Sequence, residues 1–312
     1  MKSTLSILLI GILILFLLVI SGPDAEAQSS TVTFAAIGDY GIGDGYEGAV
    51  ATMISGWNPD MILGLGDSYY VDAGGTDDQK YDLSVGRFYC NFLKDINTIT
   101  GTFCPTGQAS YNKFFPALGD HDYEDAGITN GLPTTYTNYF TLPGNGYVSS
   151  SNNERYYDFV YGPVHFFVLN TYDTAGGEPD GVTSTSIQGG WLRTQLAAST
   201  STWNVVVVPN PPYSSGAIHG STVSTQWPYA QWGADAVLSG DDHVYERILQ
   251  DGIVYFVDGL GGASPYAFRS TPVAGSEYRF NTTNGALRVT ASYLVMTFEF
   301  FSVVNSTCKC NG

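Results

Sequence analysis

The chain has 312 residues, of which 44% are hydrophobic and 14% aromatic; this is enough for a large core and excludes disorder as the main state. Twelve Lys and Arg stand against 29 Asp and Glu, a net charge of −17, which leaves no basic stripe to neutralise a nucleic-acid backbone. The same acidity repels small anions, so an enzyme acting on one needs a bound cation to reverse the local field. At the N-terminus, Lys2 precedes an apolar run over 5–20, and Ala25-Glu26-Ala27 forms a small-x-small cleavage pattern before Gln28. This reads as a secretory signal peptide over 1–27, because an apolar run of that length is short for a membrane span. Residues 28–312 show no repeat, charge block or long linker and are expected to form a single domain with a cysteine-containing C-terminal tail. Runs rich in β-branched and aromatic residues predict strands over 32–37, 61–65, 165–169, 203–208, 236–238 and 253–257, with final strands within 287–304. Helical spacing predicts helices over 48–57, 79–93, 187–198 and 225–232, and residues 121–153, rich in Gly, Asn, Thr and Ser, read as surface loop. The alternation of strand and helix gives an α/β class.

Cys90, Cys104, Cys308 and Cys310 form an even set, as suits an exported chain. Cys308 and Cys310 are too close to pair easily with each other, so one or both are expected to tie the tail to the 90–104 region. The other arrangement pairs Cys90 with Cys104 and leaves the tail cysteines free or bridging to another chain. Asn281-Thr282-Thr283 and Asn305-Ser306-Thr307 are glycosylation sequons if the source is eukaryotic, which would make the chain a glycoprotein, and chance matches otherwise.

Four polar motifs each follow an apolar run: Gly38-Asp39-Tyr40-Gly41, Gly66-Asp67-Ser68-Tyr69-Tyr70, Gly119-Asp120-His121-Asp122 and Gly240-Asp241-Asp242-His243. A single Gly-Asp pair is most simply a turn. Four of them at the carboxyl ends of strands, where open sheets form ligand crevices, point to one shared site. Gathered carboxylates repel one another unless a cation lies between them, and Asp39, Asp67 and His243 make a hard oxygen and imidazole set suited to a metal.

Together with Pro211-Pro212-Tyr213-Ser214-Ser215-Gly216 and Ser239-Gly240-Asp241-Asp242-His243-Val244-Tyr245-Glu246-Arg247, these motifs, in this order over 32 to about 265, resemble the purple acid phosphatases of the calcineurin-like metallophosphoesterase superfamily. The resemblance implies a four-layer sandwich, two mixed β-sheets packed together and flanked by helices, with a dinuclear metal centre. It implies that Asp39, a bridging Asp67, Tyr70 and His243 hold the first ion, an Fe(III) on the Tyr70 phenolate. The second position departs from the family pattern. Asp120 stands where the family has Asn, Asp241 where it has the first His of Gly-His-x-His, and the His expected before Pro211 is replaced by Pro209 or Asn210, depending on register. Carboxylates and at most one amide oxygen shift the second divalent ion (Fe, Zn, Mn or Mg) towards magnesium, manganese or calcium, or abolish the site.

The resemblance further implies a metal-bound hydroxide attacking phosphate, with His121 and His219 as candidate proton or phosphate donors and Asp122 orienting His121. His165 reads as a structural residue and Asp242 as solvated, while Asp258-Gly259-Leu260-Gly261-Gly262 resembles a glycine-rich turn of the family. The expected function is that of a secreted, acid phosphatase-like phosphoric monoester hydrolase. Its substrate would be a small phosphoester, with no nucleic-acid partner and no membrane attachment after signal cleavage. Two alternatives stand beside it. The altered ligands favour a family member impaired in catalysis that acts as an extracellular binding or structural protein, and the versatility of the scaffold allows a phosphodiesterase or nucleotidase.

Overall fold

The computed structural model describes residues 31–304, except 71–73, 75–78, 98–101, 125–127, 130–131 and 175–176, and the backbone of 307–311. The predicted signal peptide and the Asn305 sequon lie outside the described residues. Strand β1 (Thr31–Ile37) leads into helix α1 (Gly45–Trp57). The Asp44 carboxylate caps α1 by accepting from the Tyr46 and Glu47 N–H groups at 2.8 and 3.3 Å, and the helix ends at Asn58 in the left-handed region. After β2 (Met61–Gly64) comes a π-helical turn (Asp82–Gly86), α2 (Arg87–Tyr89) and a 3-10 turn (Cys90–Phe92), where the sequence predicts one helix. Next are β3 (Phe114–Pro116), α3 (Asp120–Glu124), the ribbon β4 (Ile128–Thr129) and β5 (Leu132–Pro133), and α4 (Thr134–Tyr139). The second half contains β6 (Tyr157–Tyr161), β7 (Val164–Val168), α5 (Ile187–Ala198), β8 (Trp203–Val207), α6 (Tyr229–Trp232), β9 (Ala236–Ser239), β10 (Tyr245–Gln250) and β11 (Ile253–Asp258). The chain closes with β12 (Ser276–Phe280), β13 (Gly285–Ser292), β14 (Met296–Val304) and β15 (Thr307–Asn311).

These strands form two mixed sheets, ordered β15-β14-β13-β1-β2-β3 and β12-β10-β11-β9-β8-β7-β6, flanked by helices. In the first, β1, β2 and β3 run parallel; in the second, β7, β8, β9 and β11 do. Parallel strands covered on both faces should read as unbroken apolar runs, and β2 and β9 are buried along their whole length. The sheets meet through aromatic side chains. Phe34 of β1 meets Phe166 of β7 edge-on at 5.1 Å, and Tyr245 of β10 stacks on Phe300 of β14 at 4.0 Å. Each such pair adds about 1 kcal/mol beyond the area it buries.

Two expectations are corrected here. Residues 121–153 are not all surface loop, because Tyr136, Tyr139 and Phe140 are buried and pull α4 onto the core. Cys90 is bonded to Cys104, so neither remains to tie down the tail; the side chains of Cys308 and Cys310 lie outside the described residues. The Asp82 carboxylate fixes the same segment by accepting from the Thr102, Phe103 and Cys104 N–H groups at 2.7 to 2.9 Å. Among the described residues no helix is long and apolar enough to cross a membrane.

Candidate metal centre

Five of the parallel strands deliver a candidate ligand at the carboxyl end: Asp39 after β1, Asp67 after β2, Asp120 after β3, Asn210 after β8, and Asp241 and His243 after β9. Two glycines let these ends come together. A Cβ on Gly119 would fall on the Asp67 carboxylate, and one on Gly259 would reach Asp39 Oδ2 at 2.6 Å.

The first ligand group is in contact throughout. The Tyr70 hydroxyl lies 3.1 Å from Asp39 Oδ1, 3.1 Å from Asp67 Oδ2 and 3.3 Å from His243 Nε2. His243 Nε2 is 3.2 Å from Asp39 Oδ1, and the other ring nitrogen, Nδ1, is 2.9 Å from the Ser264 carbonyl oxygen, which fixes the ring with Nε2 towards the centre. Tyr266 stacks on the His243 ring with centroids 3.9 Å apart. Asp39 Oδ2 accepts from the Asp241 N–H at 2.8 Å, linking β1 to the turn after β9.

The second group contains oxygen donors. Asp67, Asp120, Asn210 and Asp241 line one small gap, and Asn210 Nδ2 donates to Asp241 Oδ1 at 3.1 Å. This settles the register: Asn210 supplies the side chain, while the Pro209 carbonyl oxygen accepts from the Gly240 N–H at 3.1 Å. His121 joins them, since Asp67, Asp120 and His121 bring ligand atoms within 4.8 Å of one another. The His121 N–H donates to Asp67 Oδ1 at 3.1 Å, and its ring lies against Tyr70 with centroids 4.2 Å apart.

Charge at the centre is unbalanced. Burial, and then the neighbouring carboxylates of Asp120 and Asp39, push Asp67 well above the usual carboxylate range; burial with Asp120, Asp39 and Asp242 does the same to Asp241. Burial and the Asp39 and Asp67 charges raise the Tyr70 hydroxyl. Burial would raise Asp39 too, but the charge and hydrogen bond of His243 hold it below its ordinary value; burial would lower His243, but Asp39 raises it. Buried carboxylates, a phenol and an imidazole in contact fit a hard metal ion at the first position. The second position offers the carboxylates of Asp67, Asp120 and Asp241, which fit an oxygen-preferring divalent ion, while the Asn210 amide oxygen accepts from Thr171 Oγ1 at 2.8 Å.

His219 stands at the rim, its side chain 38% exposed and Nδ1 3.9 Å from Asp241 Oδ2. Asp122 directs its carboxylate at the Ser68 and Gly119 N–H groups, at 3.2 and 2.8 Å, and at the Tyr81 hydroxyl at 3.0 Å, anchoring the turns that carry Asp67 and Asp120. Asp242 is not solvated. It is buried and accepts from Ser214 Oγ at 2.6 Å, the Gly220 N–H at 2.7 Å and the His219 N–H at 3.1 Å. Buried Glu246 grips the preceding stretch, accepting from the Ser215 N–H and Oγ, both at 2.6 Å. Sequence reasoning assigned these two acids no role, although both lie inside a recognised motif; paired Ser214 and Ser215 were the available signal. His165 sits apart from the centre, between Asp158 and Ser199.

Residues 32–245 match the family model described as calcineurin-like phosphoesterase. The chain is 25% identical over 268 residues to purple acid phosphatase 23 of Arabidopsis thaliana, a match covering 77% of this chain and 54% of that protein. It spans about half the length of the curated relatives it matches. The purple acid phosphatase PPD1 from yellow lupin (Lupinus luteus) seeds shares the fold, with a TM-score of 0.68 and 16% identity over 91% of this chain and 53% of that one. GAP50 of Plasmodium also shares it, with a TM-score of 0.56 and 17% identity over 89% and 86%.

Proposed function

The chain belongs to the calcineurin-like phosphoesterase family, and on that footing we propose that it is a secreted, metal-dependent phosphoric monoester hydrolase of the acid phosphatase type. The observation that carries this reading is the contact of Tyr70 with Asp39, Asp67 and His243 at 3.1 to 3.3 Å. Asp39, Asp67, Tyr70 and His243 would hold one ion, an Fe(III), and Asp67, Asp120, Asn210 and Asp241 a second, divalent one. When bound, these ions supply positive charge against the phosphoryl oxygens and lower the proton affinity of water. His243, fixed through Ser264, and the buried carboxylates keep the donors in place without rearrangement. His219, beside Asp241, gives its proton to the leaving alcohol oxygen as the phosphorus–oxygen bond breaks and water oxygen joins phosphorus. His121, packed on Tyr70 at the edge of both ligand groups, donates a hydrogen bond to the phosphoryl group.

Residues 1–27 would direct export, with 28–312 as one domain, and the Cys90–Cys104 bond supports an oxidising destination. The test is a panel of phosphoesters. Turnover of a generic phosphomonoester that exceeds that of a diester, and that chelation abolishes, supports the proposal; preference for the diester moves the chain to the phosphodiesterases. A second reading is favoured by the replaced ligands Asp120, Asn210 and Asp241. GAP50, described as the anchor in the inner membrane complex of Plasmodium, has the same fold, and a binding protein of this kind would show no turnover. Under that reading Asp120→Asn, Asn210→His and Asp241→His together create activity absent from the parent.

A further inference from the structure

A cleft of about 470 Å³ opens beside the centre, a volume that holds a phosphoryl group and a small alcohol. Its wall joins Asp120, Asp241 and His219 to Tyr172, Asp173 and Thr222. Tyr172 and Asp173 lie just beyond the carboxyl end of β7, and Asp173 is exposed. The Tyr172 ring is held by stacking on buried Tyr123, with centroids 4.3 Å apart and planes at 16°. Three carboxylates thus line the cleft, and among the described residues no Lys or Arg does. The nearby cations are placed elsewhere: Arg155 is engaged by Glu178 and Asp180, and the Arg269 guanidinium lies against Gly220, outside the cleft wall.

Resting on the monoesterase reading above, we infer that the cleft selects phosphate monoesters of amino alcohols, with the ammonium group received by Asp173 and the ring of Tyr172. An aromatic ring beside a carboxylate suits an ammonium ion, which the ring quadrupole and the carboxylate both attract. A leaving group carrying a second phosphate or a carboxylate meets Asp173, the carboxylate of the wall not assigned to the metal centre, with no Lys or Arg among the described residues of the wall to offset it. The selectivity lies in the charge of the leaving group, because the phosphoryl end is common to every substrate.

The test uses three phosphonates that share one head group and cannot be hydrolysed at an ester bond: 2-aminoethylphosphonate, 2-hydroxyethylphosphonate and 3-phosphonopropionate. Their dissociation constants are measured by calorimetry on the metal-loaded chain at low ionic strength. The amine is expected to bind about tenfold more tightly than the carboxylate, with the alcohol between them, as a two-unit charge difference near partly solvated carboxylates requires. Asp173→Asn should reduce this spread to about threefold and Asp173→Lys should invert it. Equal affinities in the parent chain, tighter binding of the carboxylate, or a spread unchanged in Asp173→Lys overturns the inference. Turnover of a generic phosphomonoester by the same preparation separates the two claims. Intact turnover with equal affinities removes only the selectivity, whereas no turnover and no phosphonate binding removes both.

Discussion

Asp39, Asp67 and Asp241 adopt φ of 57°, 55° and 69°, the left-handed region that residues other than Gly enter at a cost and that Asp tolerates better than most. Three of the candidate ligands therefore hold the less favourable backbone, as functional positions do when the surrounding structure fixes them. Asp242 shows how a neighbouring residue fixes the rim: its one carboxylate orders the turn from Ser214 to Gly220, on which His219 stands. Asp242→Asn keeps the shape but replaces one of the two acceptor oxygens with an amide N–H that opposes a backbone donor, the Gly220 or the His219 N–H. We expect kcat/KM for a phosphomonoester to fall about tenfold, equivalent to about 1.4 kcal/mol of transition-state stabilisation, with metal content unchanged by elemental analysis. Loss of metal alongside activity would show that Asp242 supports the ligands rather than the position of His219.

At the scale of the elements, the centre is made by parallel strands of two sheets ending at one place, and this is why so much was readable. The six strands predicted at apolar runs all form, since buried parallel strands are the most continuous apolar segments of a chain. Strand β12 was not predicted: Ser276–Phe280 alternates half-buried and exposed positions at a sheet edge and carries no run. The register of Asn210 is not decidable from sequence, because contacts with a distant turn set it: the Gly240 N–H to the Pro209 carbonyl and Asn210 Nδ2 to Asp241 Oδ1. The polar composition of 121–153 concealed α4, whose burial rests on three aromatic side chains.

Away from the centre, β6, β7 and the end of α5 are joined by His165. Its Nε2 is 3.0 Å from Asp158 Oδ2, and its Nδ1 is 3.1 Å from the hydroxyl of Ser199, the residue that caps α5. Burial would raise Asp158, but His165 and the Ser150 N–H and hydroxyl hold it below the usual carboxylate value. A depressed carboxylate stabilises the fold above its unfolded value near pH ~3.9, and that stabilisation is lost as the pH falls through the folded value. Asp158→Asn should therefore lower the melting temperature at pH 7, with the difference from the parent narrowing towards pH 3 in a melting series. A difference independent of pH would show that the pair acts through packing alone.

At the scale of the whole molecule, the charge of −17 first set this chain against anionic substrates, and the structure places part of that charge where it has a use. Asp39, Asp67, Asp120 and Asp241 gather where a metal centre would supply the cations that the sequence lacks. The acid in the cleft wall extends the same field to the leaving group. Everything proposed for activity depends on Asp67, which touches both ligand groups through its two oxygens. The most direct measurement is elemental analysis of the purified chain beside its Asp67→Asn variant. The parent should carry about two metal ions per chain, iron among them, and Asp67→Asn should lose both together with phosphomonoester turnover. A parent free of metal, or a variant that keeps the parent's metal content, would contradict the account.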